Sequence, residues 1–107
     1  MGDENPWVED ARARLLQGYD EIVGPDIPPH LRAGMERYVL DGVEQGSFLQ
    51  ALFSNDLEAL LRADDTSLPA LRQLVYLLNN FVPSPAWGSA KAVERWMAGG
   101  GVRGRHG

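Results

Sequence analysis

In a chain of 107 residues without cysteine, chemistry must come from histidines, carboxylates, hydroxyls and amides, and here these are sparsely placed. His30 stands in Pro-Pro-His-Leu at an expected helix start, and the only other histidine is His106, in the glycine-rich C-terminal stretch. A single imidazole supports neither a multi-histidine metal site nor a Ser-His-Asp triad, so His30 is expected to be solvated or packed in a loop. Asp64 and Asp65 follow Asp56 and Glu58 by a turn or two, a set of oxygens of the kind that holds magnesium or calcium. The spacing is not that of an EF-hand, and helix capping plus a solvated turn accounts for these acids. Neither a catalytic residue, a metal site nor a cofactor is expected.

Binding groups are better represented. Asn55 and Asp56 lie between Phe53 and Leu57, where two short polar side chains either satisfy backbone donors or face a ligand; capping is the expectation. Asn79 and Asn80 are read as the close of a long helix, since asparagine tolerates the left-handed conformation of a C-cap, with amides offered to a base or peptide as the alternative. Trp87, between prolines and Gly88, either plugs the fold or stands as a binding platform, and the plug is favoured. Ser89 is read as a helix cap. Arg37 points away from the inward-facing Tyr38 beside it. Arg103-Gly104-Arg105 is a single copy of an arginine-glycine motif on an acidic chain and carries little weight.

The elements that position these groups are helical throughout. Val8, Ala11, Leu15, Tyr19 and Ile22 recur at three- and four-residue spacing and predict a helix over 6–22, opened by Asn5-Pro6 and stopped by Gly24-Pro25-Asp26. Ile27-Pro28-Pro29 forces an extended connection. Leu31, Met35, Tyr38 and Val39 predict a second helix ending at Gly42. Ser47 is expected to cap a third over 48–53, and Phe48, Leu49, Leu52 and Phe53 imply heavy burial. Asn55-Asp56-Leu57-Glu58 reads as a capping-box variant opening a fourth, with Leu57, Leu60 and Leu61 as its core face. Ser67-Leu68-Pro69 starts a long helix whose stripe of Leu68, Leu71, Leu74, Val75 and Leu78 makes it the central element. Ser89 starts the last, with Val93, Trp96 and Met97 on one face. No run alternates apolar and polar residues as a strand does. The expectation is an all-α, single-domain bundle of five or six short helices over 1–97, with 6–22 readable as an appended helix and 98–107 as a disordered tail.

Composition narrows the function. The net charge is −5, and residues 1–26 carry seven acids against Arg12 and Arg14. Phosphate backbones would be repelled by most of such a surface, so no nucleic-acid partner is expected. No apolar run approaches a membrane span, the N-terminal Met-Gly-Asp-Glu-Asn-Pro is acidic where a signal peptide is basic, and Pro6 spoils a myristoylation pattern. A cytoplasmic protein without membrane attachment is the expectation.

The order Ile27-Pro28, Leu31, Arg37-Tyr38-Val39, Gly42, Gly46-Ser47-Phe48-Leu49, Asn55-Asp56-Leu57, Ala63-Asp64, Leu71, Val75-Tyr76, Asn79 and Trp87-Gly88-Ser89 resembles a family of short helical proteins of unknown function encoded largely by bacteriophages and prophages. The resemblance covers about residues 27–97. It departs at Gln45, where the family tends to have proline, and in the long N-terminal helix. What it implies is an accessory phage-type protein acting on a host factor. The leading expectation is a non-enzymatic protein that binds a protein partner, a host factor or itself as a small homo-oligomer, through apolar surface left by Phe48, Phe53, Phe81 and Trp87. The alternative is a small-ligand binder that sequesters a nucleotide-type signal, received by Asn55, Asn79, Trp87 and Arg37 in a pocket where the Asn55 and Ser89 helix starts converge. A metal-assisted hydrolase built on Asp56, Asp64 and Asp65 ranks last.

Overall fold

The computed structural model describes the backbone of residues 5–21, 29–62 and 68–106. The expectations placed on Ile22, on 24–28, on Asp64 and Asp65, and on Ser67 lie outside the described residues, as do the side chains of Leu61, Leu68 and His106. Seven α-helices are described: α1 Pro6–Glu21, α2 Pro29–Asp41, α3 Ser47–Phe53, α4 Leu57–Arg62, α5 Leu68–Phe81, α6 Ala90–Ala98 and α7 Gly101–His106, with a 3₁₀ turn at Ser84–Ala86 before α6. There is no strand among the described residues. The Cα radius of gyration, 13.2 Å, matches the roughly 13 Å of a single folded domain of this length.

The helices donate their apolar stripes to one core. Val8 and Leu15 come from α1, Met35, Tyr38 and Val39 from α2, Phe48, Leu49, Leu52 and Phe53 from α3, Leu74, Leu77 and Leu78 from α5, and Val93 and Trp96 from α6. At its centre the Tyr38 ring stacks on Phe53 with centroids 4.0 Å apart and planes 10° from parallel. The Tyr38 hydroxyl donates to the carbonyl of Ala86 at 2.6 Å, which ties α2 to the 3₁₀ turn. No charged or polar residue is buried among those described, so the core is held by apolar contact, and the buried Tyr38 hydroxyl and Trp96 indole N–H are paired with carbonyls of distant segments.

The first helix is integral to this core. Asn5 opens α1 by accepting from the backbone N–H of Trp7 at 2.9 Å, and Val8 and Leu15 are wholly buried, so 6–21 is no appendage. The C-terminal stretch also differs from expectation. Residues 101–106 form α7, which packs across α2 and α1 and buries Val102. A stretch so rich in glycine is helical here because the glycines permit a close approach. Gly42, at φ +70°, and Gly101, at φ +68°, meet backbone to backbone, and a Cβ on Gly101 would fall 2.6 Å from the Gly42 nitrogen. Glycine composition weighs the chain toward disorder; the close backbone contact opposes it, and the Arg103 Nε adds a 2.6 Å bond to Asp41 Oδ1.

Three local expectations are corrected. The third helix begins at Ser47 itself, with Gly46 in the N-cap position, so Ser47 does not cap it. Leu57 is 68% exposed, and α4 turns only Leu60, of the side chains described, toward the core. Phe48 and Phe53 are buried, so they supply no apolar surface; among the described residues the large apolar side chains that do face solvent are Trp7, Leu16, Val43, Leu57, Val75 and Tyr76.

Candidate functional site

Of the amides and acids expected as ligand groups, Asp56, Asn79 and Asn80 bond the backbone with their side chains, and Asn55 serves a helix end through its backbone. Asn55 has φ +60° and ends α3: its N–H donates to the Leu52 carbonyl at 3.2 Å while Asp56 N–H donates to the Ala51 carbonyl at 2.9 Å. Those two bonds define a Schellman close with Asn55 as its left-handed residue. The cap of α4 is therefore Asp56, whose Oδ1 accepts from Ala59 N–H at 3.1 Å, and the capping box expected from Asn55 and Glu58 does not form: the third helical residue is Ala59, and Glu58 pairs with Arg62 at 3.2 Å. Ser89 caps α6 as the sequence predicts, accepting from Ala92 N–H at 3.1 Å.

Asn79 and Asn80 do not close α5. They lie within its last turn, exposed, with amide nitrogens donating to the carbonyls of Val75 at 3.0 Å and Tyr76 at 2.8 Å, four residues back. Trp87 is half-buried against the core, and its indole N–H is enclosed without a hydrogen-bond partner among the described residues. The turns carrying Asn55 and Ser89 do meet, because Gly88 N–H donates to the Phe53 carbonyl at 2.7 Å. Both described cavities lie elsewhere.

The larger, of about 210 Å³, lies between α2 and the start of α3 and is lined by His30, Leu31, Arg37, Gln45, Gly46, Phe48 and Leu49. Arg37 is thus the one residue singled out as a ligand group that lines a described cavity. The smaller, of about 140 Å³, lies where α1, the end of α5 and α7 meet, with Trp7, Phe81, Pro83 and Val102 as apolar walls and Asp10 and Arg14 at the rim. Sequence reasoning missed Trp7, although a signal existed. It stands off the Val8, Ala11, Leu15, Tyr19 stripe that carries α1 into the core, so an indole there is committed to the surface.

Two tyrosine hydroxyls have their ionisation pushed well above the ordinary range. Burial does this at Tyr38; at Tyr19 burial acts first, the Glu36 carboxylate adds to it and the Arg32 guanidinium opposes it. Both hydroxyls donate to carbonyls, Tyr19 to that of Arg32 at 3.3 Å, and both serve the fold. No group of three or more histidine, aspartate or glutamate side chains within reach of one metal ion occurs among the described residues, nor is any helix there long and apolar enough to cross a membrane.

No protein-family model, curated protein or solved structure matches this chain.

Proposed function

We propose that this chain is a non-enzymatic binding protein, of the accessory kind that phages and prophages carry, and that its target is another protein. The observation that carries the reading is Trp7. Its side chain is 56% exposed, and it walls an apolar cleft with Phe81, Pro83 and Val102. Tryptophan is among the residues most often found at the energetic centre of protein interfaces, where its apolar body and its N–H donor are both used. An exposed apolar side chain standing alone needs no explanation; one that borders a ready-made cleft does.

Charge narrows the partner. Asp10 and Arg14 flank the cleft with opposite charges, so the complementary surface carries charges of both signs around an apolar side chain that enters the cleft. That partner is a host factor or a second copy of this chain.

A photo-crosslinking residue with an aromatic side chain at position 7, which keeps a large ring in place of the indole, with position 91 on α6 as the control, tests this in the cell from which the protein derives. The expected result is one adduct, heterologous or homodimeric, formed from position 7 and not from 91. Removing the cleft wall with Phe81→Ala should abolish it. Since Phe81 also packs on the core, Trp7→Ala is the cleaner variant for the unlabelled complex. It should abolish the same association while leaving the thermal midpoint within a few degrees. Equal adducts from both positions, or none from position 7, would overturn the reading.

A further inference from the structure

The cavity between α2 and α3 shares no residue with the Trp7 cleft, and its chemistry is different. His30 and Arg37 are seven residues apart on α2, two turns along one face, about 10 Å in rise. Gly34 lies between them on that face. Having no side chain, it lets the Gln45 amide and Leu49 close over the helix, and a Cβ there would lie 2.8 Å from Gln45 Oε1 and 2.8 Å from Leu49 Cδ1. Gln45 is itself held, its amide nitrogen donating to the Val43 carbonyl at 2.9 Å and its backbone N–H to Gln50 Oε1 at 3.0 Å. The result is a recess with an apolar floor of Leu31, Phe48 and Leu49 and a rim carrying an imidazole and a guanidinium.

The rim is unusual for this molecule. Acids outnumber lysine and arginine by 15 to 10, yet among the described residues no carboxylate lines the recess. The neighbouring acids on α2 are committed elsewhere, Glu36 to Arg12 at 3.7 Å and Asp41 to Arg103 at 2.6 Å. Arg37 is exposed and has no ion pair among the described residues. A guanidinium offers a fork of donors that fits a carboxylate, and the floor fits a short apolar body. The volume, about 210 Å³, is below the roughly 300 Å³ at which pockets for drug-sized ligands begin, so a whole nucleotide is not enclosed. We propose that this recess binds a compact organic acid, with its carboxylate at Arg37 and His30 and its apolar body on Leu31, Phe48 and Leu49.

Titration of the isotope-labelled full chain with benzoate, benzamide and inorganic phosphate, read from amide chemical shifts, tests it independently of any protein partner. Benzoate should shift Gly46, Phe48 and Leu49 saturably. Benzamide, the same shape without charge, and phosphate, charge without the apolar body, should each bind about tenfold more weakly or worse. Arg37→Ala, at an exposed position, should weaken benzoate by about tenfold or more while the rest of the spectrum stays in place. Benzamide or phosphate matching benzoate, an unchanged benzoate affinity in Arg37→Ala, or no saturable shift at these amides would each overturn the proposal.

Discussion

The indole N–H of Trp96 donates to the backbone carbonyl of Tyr38 at 3.0 Å, and reaches that of Val39 at 3.2 Å. These carbonyls belong to the last turn of α2, where the helix supplies no complete set of donors. Gly42 N–H takes one bond to Tyr38 at 2.9 Å, and Trp96 adds a second donor there and one to Val39. A buried side chain of α6 thereby helps to satisfy the end of α2. Trp96→Phe keeps most of the apolar volume and removes the donor, so it should cost about 1–3 kcal/mol, read from urea denaturation. A loss below about 0.5 kcal/mol would mean that water or a shifted backbone replaces the bond.

Gly101 tests the packing of α7. Alanine there would combine a left-handed φ of +68° with a Cβ 2.6 Å from the Gly42 nitrogen. Gly101→Ala should therefore destabilise by about 1–3 kcal/mol and release α7, seen as fast amide exchange over 101–106 with α2 still protected. Unchanged protection in α7 would show that the contact is dispensable.

Asn55 and Asp56 can be told apart by their caps. Asn55→Gly should be neutral within about 0.5 kcal/mol because glycine accepts φ +60°, while Asn55→Ala should cost about 1 kcal/mol. Asp56→Ala removes the acceptor for Ala59 N–H and should also cost about 1 kcal/mol. If Asn55→Gly proves as damaging as Asn55→Ala in thermal denaturation, the side-chain amide has a role beyond the turn.

Alkali should unfold the protein before the buried tyrosines ionise in place. Tyr19 and Tyr38 hold their protons more tightly folded than unfolded, where tyrosine ionises near pH 10. Above about pH 10 the unfolded chain therefore releases protons that the folded chain keeps, and stability falls with rising pH. Each group contributes up to about 1.4 kcal/mol per pH unit; below about pH 10 the contribution is fully present. Tyrosinate absorbance recorded together with circular dichroism should show these two side chains ionising only as the helices are lost. Full ionisation with the helices intact would contradict the burial of both hydroxyls.

The helical class, the stripes of α1, α2, α3 and α6, and the Ser89 cap are legible in the sequence, because helical periodicity and capping act between residues three or four apart; in α5 Leu74 and Leu78 are buried as read, but Val75 faces solvent and Leu77 takes its place. Asn55 marks the limit of that local reading. Left-handed asparagine ends a helix as readily as a cap starts one, and the choice is made by α3, whose Ala51 and Leu52 carbonyls need donors. Asn79 and Asn80 mislead in the opposite sense: the same tolerance suggests a helix end, but α5 continues through them to Phe81.

What only the tertiary structure decided involves residues far apart in the chain. Gly42 and Gly101 order a stretch that composition alone marks as disordered, Leu57 faces solvent despite its helical register, and the recess of His30, Arg37, Gln45 and Leu49 exists because Gly34 admits a second segment. Periodicity reports which face of a helix is apolar. It does not report how near the next backbone comes, because that distance depends on the partner segment's own side chains and on where the rest of the fold holds it.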